Sequence, residues 1–386
     1  MMRRAAKRNL GWLLVMAAGA MAAGVAWADT IKIKPLPLTI DKSEVHHVAV
    51  SPDGQLIAYS ARVPGKPKHD LVLLSAPGPS GVKTKRVAQG VGATFSPDSA
   101  DVLFYTEAKA DNRYWLATVP TQGRIVEKDW KALGVDPSAA LPKFSPEGDA
   151  IIYVNQQGTH LLDLETGDSE RLTTKSIGSP QWHPGGNVVA FERRGGGISL
   201  MDVTNNVIKD ITGSGGRKPR WSPNGRQLLF IDDLKVTILD LATQDKRRIG
   251  QGVDAIWTNY GLAVVLFGET DTETEGESFP MADLRLTWVP LAEGAQSIVL
   301  MDKAHTAAAR GRALYVGVHR EGLYKLNLPL LDSDREARKS IKEPPGLRLA
   351  SPDEAAGQAE GQPRKLKPPT KRPNKPIDPD VLKAVQ

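Results

Sequence analysis

One short unit recurs through the chain: an aromatic residue or Val, then Ser-Pro, an acidic or amide residue, Gly, and an apolar run. It stands as Val50-Ser51-Pro52-Asp53-Gly54 before Leu56-Ile57-Ala58-Tyr59, and as Phe95-Ser96-Pro97-Asp98-Ser99 before Val102-Leu103-Phe104-Tyr105. It returns as Phe144-Ser145-Pro146-Glu147-Gly148 before Ile151-Ile152-Tyr153, as Trp182-His183-Pro184-Gly185-Gly186 before Val188-Val189-Ala190-Phe191, and as Trp221-Ser222-Pro223-Asn224-Gly225 before Leu228-Leu229-Phe230. The starts lie 45, 49, 38 and 39 residues apart. Proline presets φ at the first central turn position and biases the preceding residue toward extended geometry. Asp or Asn bonds its own backbone, and Gly accepts the left-handed conformation that folds the chain back. Each copy is therefore a tight hairpin between short strands, with the aromatic placed to pack between neighbouring sheets. Five copies make the Ser-Pro-Asp triplet an architectural element rather than a reactive site.

A second motif has its own period. Leu162-Asp163-Leu164-Glu165-Thr166-Gly167, Met201-Asp202-Val203-Thr204-Asn205-Asn206 and Leu239-Asp240-Leu241-Ala242-Thr243-Gln244 set Asp163, Asp202 and Asp240 at intervals of 39 and 38 residues, each Asp capping a turn into another strand. Four short strands per period of about 40 residues is the signature of a β-propeller. Two degenerate copies, Trp257-Thr258-Asn259-Tyr260-Gly261 before Leu262 and Arg310-Gly311-Arg312 before Ala313-Leu314-Tyr315-Val316, bring the candidate blade starts to seven. The expectation is an all-β propeller of six or seven four-stranded blades, with seven favoured. Ile31 to Leu38 alternates as a strand would and is placed to complete the last blade, joining the two ends of the ring.

These repeats, above all Val50 to Tyr59 and Trp221 to Phe230, resemble those of the TolB-like, WD40-like propeller family over roughly Val45 to Leu328. The resemblance implies a periplasmic propeller that serves as a binding platform for envelope proteins. The smaller α/β domain that precedes the propeller in the family's best-known member is expected to be missing, because the first repeat follows the N-terminal leader closely. Propellers of this type also sit beside α/β-hydrolase domains, but no Gly-x-Ser-x-Gly nucleophile elbow occurs in the chain.

The two ends differ from the repeats. Residues 1–28 run from a basic start (Arg3, Arg4, Lys7, Arg8) through an apolar stretch to Ala26-Trp27-Ala28, the pattern of a secretory signal cleaved after Ala28. Its loss removes four positive charges and takes the net charge from +6 to +2. Gly361 to Gln386 carries seven Lys/Arg against Asp378 and Asp380, or +5, which leaves the body from Asp29 to Glu360 at about −3. A body of that sign excludes nucleic acid as its natural partner. The reading is a signal peptide over 1–28, a propeller over 29–330, and a disordered, basic, Pro-rich tail over 331–386 that gives a possible contact to anionic lipid or glycan. The mature chain would be periplasmic or secreted and would not span a membrane. With no cysteine, it has neither disulfides nor thiolate chemistry.

No residue stands out as catalytic, cofactor-binding or metal-binding, and no cofactor is expected. His46-His47 are adjacent on a strand and point to opposite faces, which argues against a shared ligand role. His183 replaces the motif Ser and reads as a structural variant. Glu269 to Glu277 places five carboxylates in nine residues without the pattern of a calcium loop, so it reads as a solvated insertion. Arg193-Arg194-Gly195-Gly196-Gly197 and Gly213-Ser214-Gly215-Gly216-Arg217-Lys218 lack a phosphate-loop pattern and read as blade turns. The sequence thus points to a non-catalytic envelope interaction or assembly module. The alternative is a propeller enzyme acting on polysaccharide, or a glycan-binding module, with a site gathered from separate blades.

Overall fold

The computed structural model describes residues 33–39, 44–62, 69–75, 83–107, 114–121, 128–129, 141–175, 177–204, 207–268, 284–331 and 333–334. The expected signal segment, the acidic stretch Glu269 to Glu277 and the tail beyond Asp334 lie outside them. From Lys34 onward the described chain is a single compact unit.

Its strands form seven four-stranded antiparallel sheets. Strand β1 (Leu36–Pro37) precedes the first sheet in the chain, made of β2 (Glu44–Val50), β3 (Leu56–Arg62), β4 (His69–Ser75) and β5 (Thr84–Gln89). The second holds β6 (Val91–Phe95), β7 (Asp101–Glu107), β8 (Tyr114–Pro120) and β9 (Lys128–Asp129). The third holds β10 (Lys143–Phe144), β11 (Ala150–Asn155), β12 (Gly158–Asp163) and β13 (Ser169–Thr173). The fourth holds β14 (Ile177–Trp182), β15 (Val188–Arg193), β16 (Ile198–Asp202) and β17 (Val207–Asp210). The fifth holds β18 (Arg217–Trp221), β19 (Gln227–Asp232), β20 (Lys235–Asp240) and β21 (Lys246–Gln251). The sixth holds β22 (Asp254–Thr258), β23 (Ala263–Phe267), β24 (Leu286–Pro290) and β25 (Ile298–Met301). The seventh joins β26 (Ala304–Arg310), β27 (Ala313–Val318) and β28 (Gly322–Asn327) to β1.

The first strands β2, β6, β10, β14, β18, β22 and β26 each contact the next, and β26 contacts β2. They enclose the axis of a propeller. As the sequence anticipated, the chain's start closes the last sheet: Leu36 pairs with Lys325 and Pro37 with Tyr324, and Leu323 N donates to Thr39 Oγ1 at 2.9 Å. Apolar clusters lie between neighbouring sheets. Ala58, Leu71 and Leu73 pack on Phe95, Val102 and Phe104, and Ala190, Ile198 and Leu200 pack on Trp221, Leu228 and Phe230.

The motif aromatics also carry polar ties. Trp182 Nε1 donates to Lys143 O at 3.4 Å, Trp221 Nε1 to Gln181 O at 3.1 Å, and Trp257 Nε1 to Arg220 O at 3.0 Å. Each indole thus reaches the carbonyl just before the preceding sheet's own aromatic. Such a bond satisfies the indole in a buried setting and fixes the rotation of one sheet against the next.

In the sixth copy Thr258 takes the Ser position and Asn259 stands in place of the motif Pro, fully buried. Its amide donates to Asp334 Oδ2 at 3.0 Å and to Pro329 O at 3.0 Å, while Trp288 Nε1 donates to its Oδ1 at 3.2 Å. Asp334, also buried, is thereby pinned four residues past the predicted end of the propeller at position 330. Removing the amide would leave a buried carboxylate short of a donor. Asn259→Ala is expected to lower stability by about 2–3 kcal/mol in urea unfolding, and Asn259→Asp, which sets two carboxylates together, by more.

Candidate functional site

On the face formed by the motif hairpins, the polar side chains are consumed by the turns. Ser51 Oγ donates to Asp53 Oδ1 at 2.5 Å and accepts from Leu56 N at 2.9 Å; Ser96 repeats this with Asp98 and Asp101 N, and Ser222 with Asn224 and Gln227 N. Ser145 uses Asp149 and Ala150 N. His183 takes the same role, accepting from Gly185 N on Nδ1 at 3.0 Å and standing edge-on to Trp221 with ring centroids 4.7 Å apart. Ser99, in the Gly position, holds a φ of 63°, and its hydroxyl accepts from Asp53 N of the neighbouring sheet. Asp163, Asp202 and Asp240 each accept backbone N–H bonds within their own turns.

The opposite face differs. The connections 130–142 and 268–285, the longest between described strands, both join it, whereas 51–55, 96–100, 145–149, 183–187 and 222–226 on the hairpin face are uniform. Here the inner strands begin, and five of them are irregular: His47, Gly92, Ser179 and Lys218 have φ of 49°, 73°, 47° and 51°, each three residues before its motif Val or aromatic, and β26 shifts register between Ala304 and Thr306. A bulge inserts a residue and turns the strand locally, re-aiming the side chains on either side.

The bulge at His47 alters the expected alternation. His46 is half-buried, and its ring centroid lies 5.7 Å from that of His305 on β26, which lies 6.1 Å from that of His319 in the β27–β28 turn. His47 is exposed. Glu44 sits beside the group. Arg62 holds it with donors at 2.5 and 3.1 Å, Arg320 Nε is 3.8 Å away and His46 Nε2 4.0 Å. The Arg62 hydrogen bond outweighs desolvation and keeps the Glu44 carboxyl below its usual range. His305 Nε2 donates to Val45 O, while its Nδ1 is buried without a partner; desolvation holds this imidazole below its ordinary value. Among the described residues no three His, Asp or Glu side chains converge as metal ligands.

A second charged group lies on sheets three to six. Arg220 NH2 donates to both oxygens of Asp254 at 3.2 Å, and Lys218 Nζ stands 3.7 Å from the same carboxylate. Burial raises the Asp254 pKa, but Arg220 and Lys218 outweigh it and the carboxyl stays below its ordinary value. Glu192 accepts from Lys218 N. Lys143 on β10 retains some exposed surface, yet desolvation, with Arg220 adding to it, pushes its ammonium down to about 8.

The two Gly-rich segments are turns, as the sequence implied. Arg193 spends its charge on Asp210 at 2.6 Å and on Thr212 O at 2.9 Å. The sequence reading missed His305, His319, Lys143 and Arg220. Aligning the repeats on their aromatics singles out Lys143 and Arg220 as charged residues at one inner-strand position; nothing local marks the histidines.

No known family model matches the chain, and no curated protein matches it. Among solved structures, an oligogalacturonate lyase from Vibrio parahaemolyticus superposes with a TM-score of 0.59 over 78% of this chain and 95% of that one, at 12% identity. The likeness is one of fold. It supports the propeller architecture and transfers no residue role.

Two pH effects follow. Lys143 holds its proton less tightly folded than unfolded, so stability rises as pH climbs from about 8 to 10.5. Lys143→Met is expected to raise the melting temperature at pH 7, on the order of 2 °C, with the gain gone above pH 10.5. His305 has a depressed pKa, so its contribution is lost as pH falls below about 6.5. Melting curves from pH 7 to 5 should decline less steeply for His305→Gln, whose amide can still reach Val45 O.

Proposed function

We propose that this chain is an exported, non-catalytic protein-binding propeller of the TolB-like kind, acting in the periplasm or outside the cell as an envelope interaction or assembly module. The observation that carries this reading is the difference between the two ring faces. One carries the five equal motif hairpins, whose polar side chains are spent on turns; the other carries the two longest connections and the ion clusters at Glu44 and Asp254. Variable segments on a rigid ring are a display for macromolecular contact. The carboxylates at Glu44 and Asp254 are held ionised by cations, the opposite of a poised general acid. Cleavage near Ala28 would release the chain, and the basic tail would add contact to a partner, anionic lipid or glycan.

The second reading is a propeller enzyme or binder acting on polysaccharide. It is favoured by the lyase that shares the fold and by the carboxylate and three imidazoles gathered where the first and seventh sheets meet.

Capture from envelope extract, followed by titration of each purified candidate, separates the two. The protein-binding reading expects one saturable envelope partner, weakened at least tenfold by deleting residues 269–277 and unchanged by Glu165→Lys on the hairpin face. Loss on removing Gly361 to Gln386 would assign contact to the tail. If no protein binds while a polyuronate is cleaved or bound, the second reading replaces the first.

A further inference from the structure

The residue just before the motif aromatic occupies the same register in every sheet. Ala49 pairs with Ala58, Thr94 with Leu103, Lys143 with Ile152, Gln181 with Ala190, Arg220 with Leu229, Ile256 with Val265 and Ala308 with Tyr315. These seven positions form one tier of the strands that enclose the axis. The tier is two-sided. Sheets two to five contribute Thr94, Lys143, Gln181 and Arg220 in unbroken order, and sheets six, seven and one contribute only Ile256, Ala308 and Ala49.

The polar arc has hydrogen-bonding capacity to spare. Among the described residues, Lys143 Nζ has no carboxylate within ion-pair distance, and the Thr94 hydroxyl and Gln181 amide make no hydrogen bond. Arg220 meets Asp254 through one terminal nitrogen, while its Nε is buried with no partner. Arg220 stands within electrostatic reach of Lys143 and adds to the desolvation that disfavours its charge. An unspent buried N–H and an unpaired ammonium cost free energy that an acceptor with negative charge would recover. The neutral donors between and beside them suit hydroxyl groups, and the Ile256, Ala308 and Ala49 arc suits the apolar face of a small ring.

We propose that this tier is a binding site for a polyhydroxy carboxylate, such as a sugar acid, with the carboxylate between Lys143 and Arg220 and the hydroxyls on Thr94 and Gln181. The site belongs to the axis of the ring rather than to its loop-bearing face, so it stands or falls apart from protein capture.

Titration calorimetry of the purified chain with glucuronate tests it, beside glucose, which lacks the carboxylate, acetate, which lacks the hydroxyls, and a Glu-rich peptide. Glucuronate should bind, and glucose and acetate should each bind at least tenfold more weakly. Lys143→Met should weaken glucuronate at least tenfold while melting no lower than the parent, and Gln181→Leu should weaken it by about threefold. Absence of glucuronate binding, equal affinity in Lys143→Met, or binding of the peptide in place of glucuronate would each overturn the assignment.

Discussion

A four-stranded sheet of this size cannot bury both of its faces alone, and that constraint governs the rest of the molecule. Each sheet offers apolar side chains on both sides, as in the third, where Ile151 packs toward Leu103 and Tyr105 while Ile152 packs toward Val189 and Phe191. A row of such sheets would leave two apolar ends in water; bending the row into a ring removes them. The indole ties from Trp182, Trp221 and Trp257 then set the angle between neighbours, and β1 fastens the last sheet to the chain's beginning.

The fold was legible because its constraint is repeated. Ser-Pro-Asp-Gly specifies a turn by local chemistry alone, and five copies specify a ring. The degenerate copies were legible too, through Trp257 and Gly261, although the chemistry had changed: Asn259 replaces Pro and its side chain serves a distant segment. The strand at Leu36 could be read because its alternation had no other sheet to join. The tie from Asn259 to Asp334 could not be read, since it joins residues 75 apart and leaves no local signal.

The candidate sites were much less legible, for a physical reason. A central site in a ring takes one residue from each of several sheets, so Lys143 and Arg220 are separated by the whole of β11 to β17, and Glu44 and His305 by almost the entire propeller. Alternation was also a poor guide at His46 and His47, because a bulge turns one of them out of the regular period. The hairpin residues that looked most site-like, Ser51, Ser96 and His183, are those most completely committed to backbone geometry.

The closure through β1 has a consequence in time. Leu36 pairs with Lys325, so during synthesis the first strand must wait for 289 further residues, the difference between those positions. At ribosomal rates of about 5–20 residues per second that is on the order of 15–60 s. Throughout that interval the seventh sheet cannot form, and the sheets made earlier lack one neighbour. A chain cut short before Lys325 therefore leaves its ring open, however many self-contained hairpins precede the break.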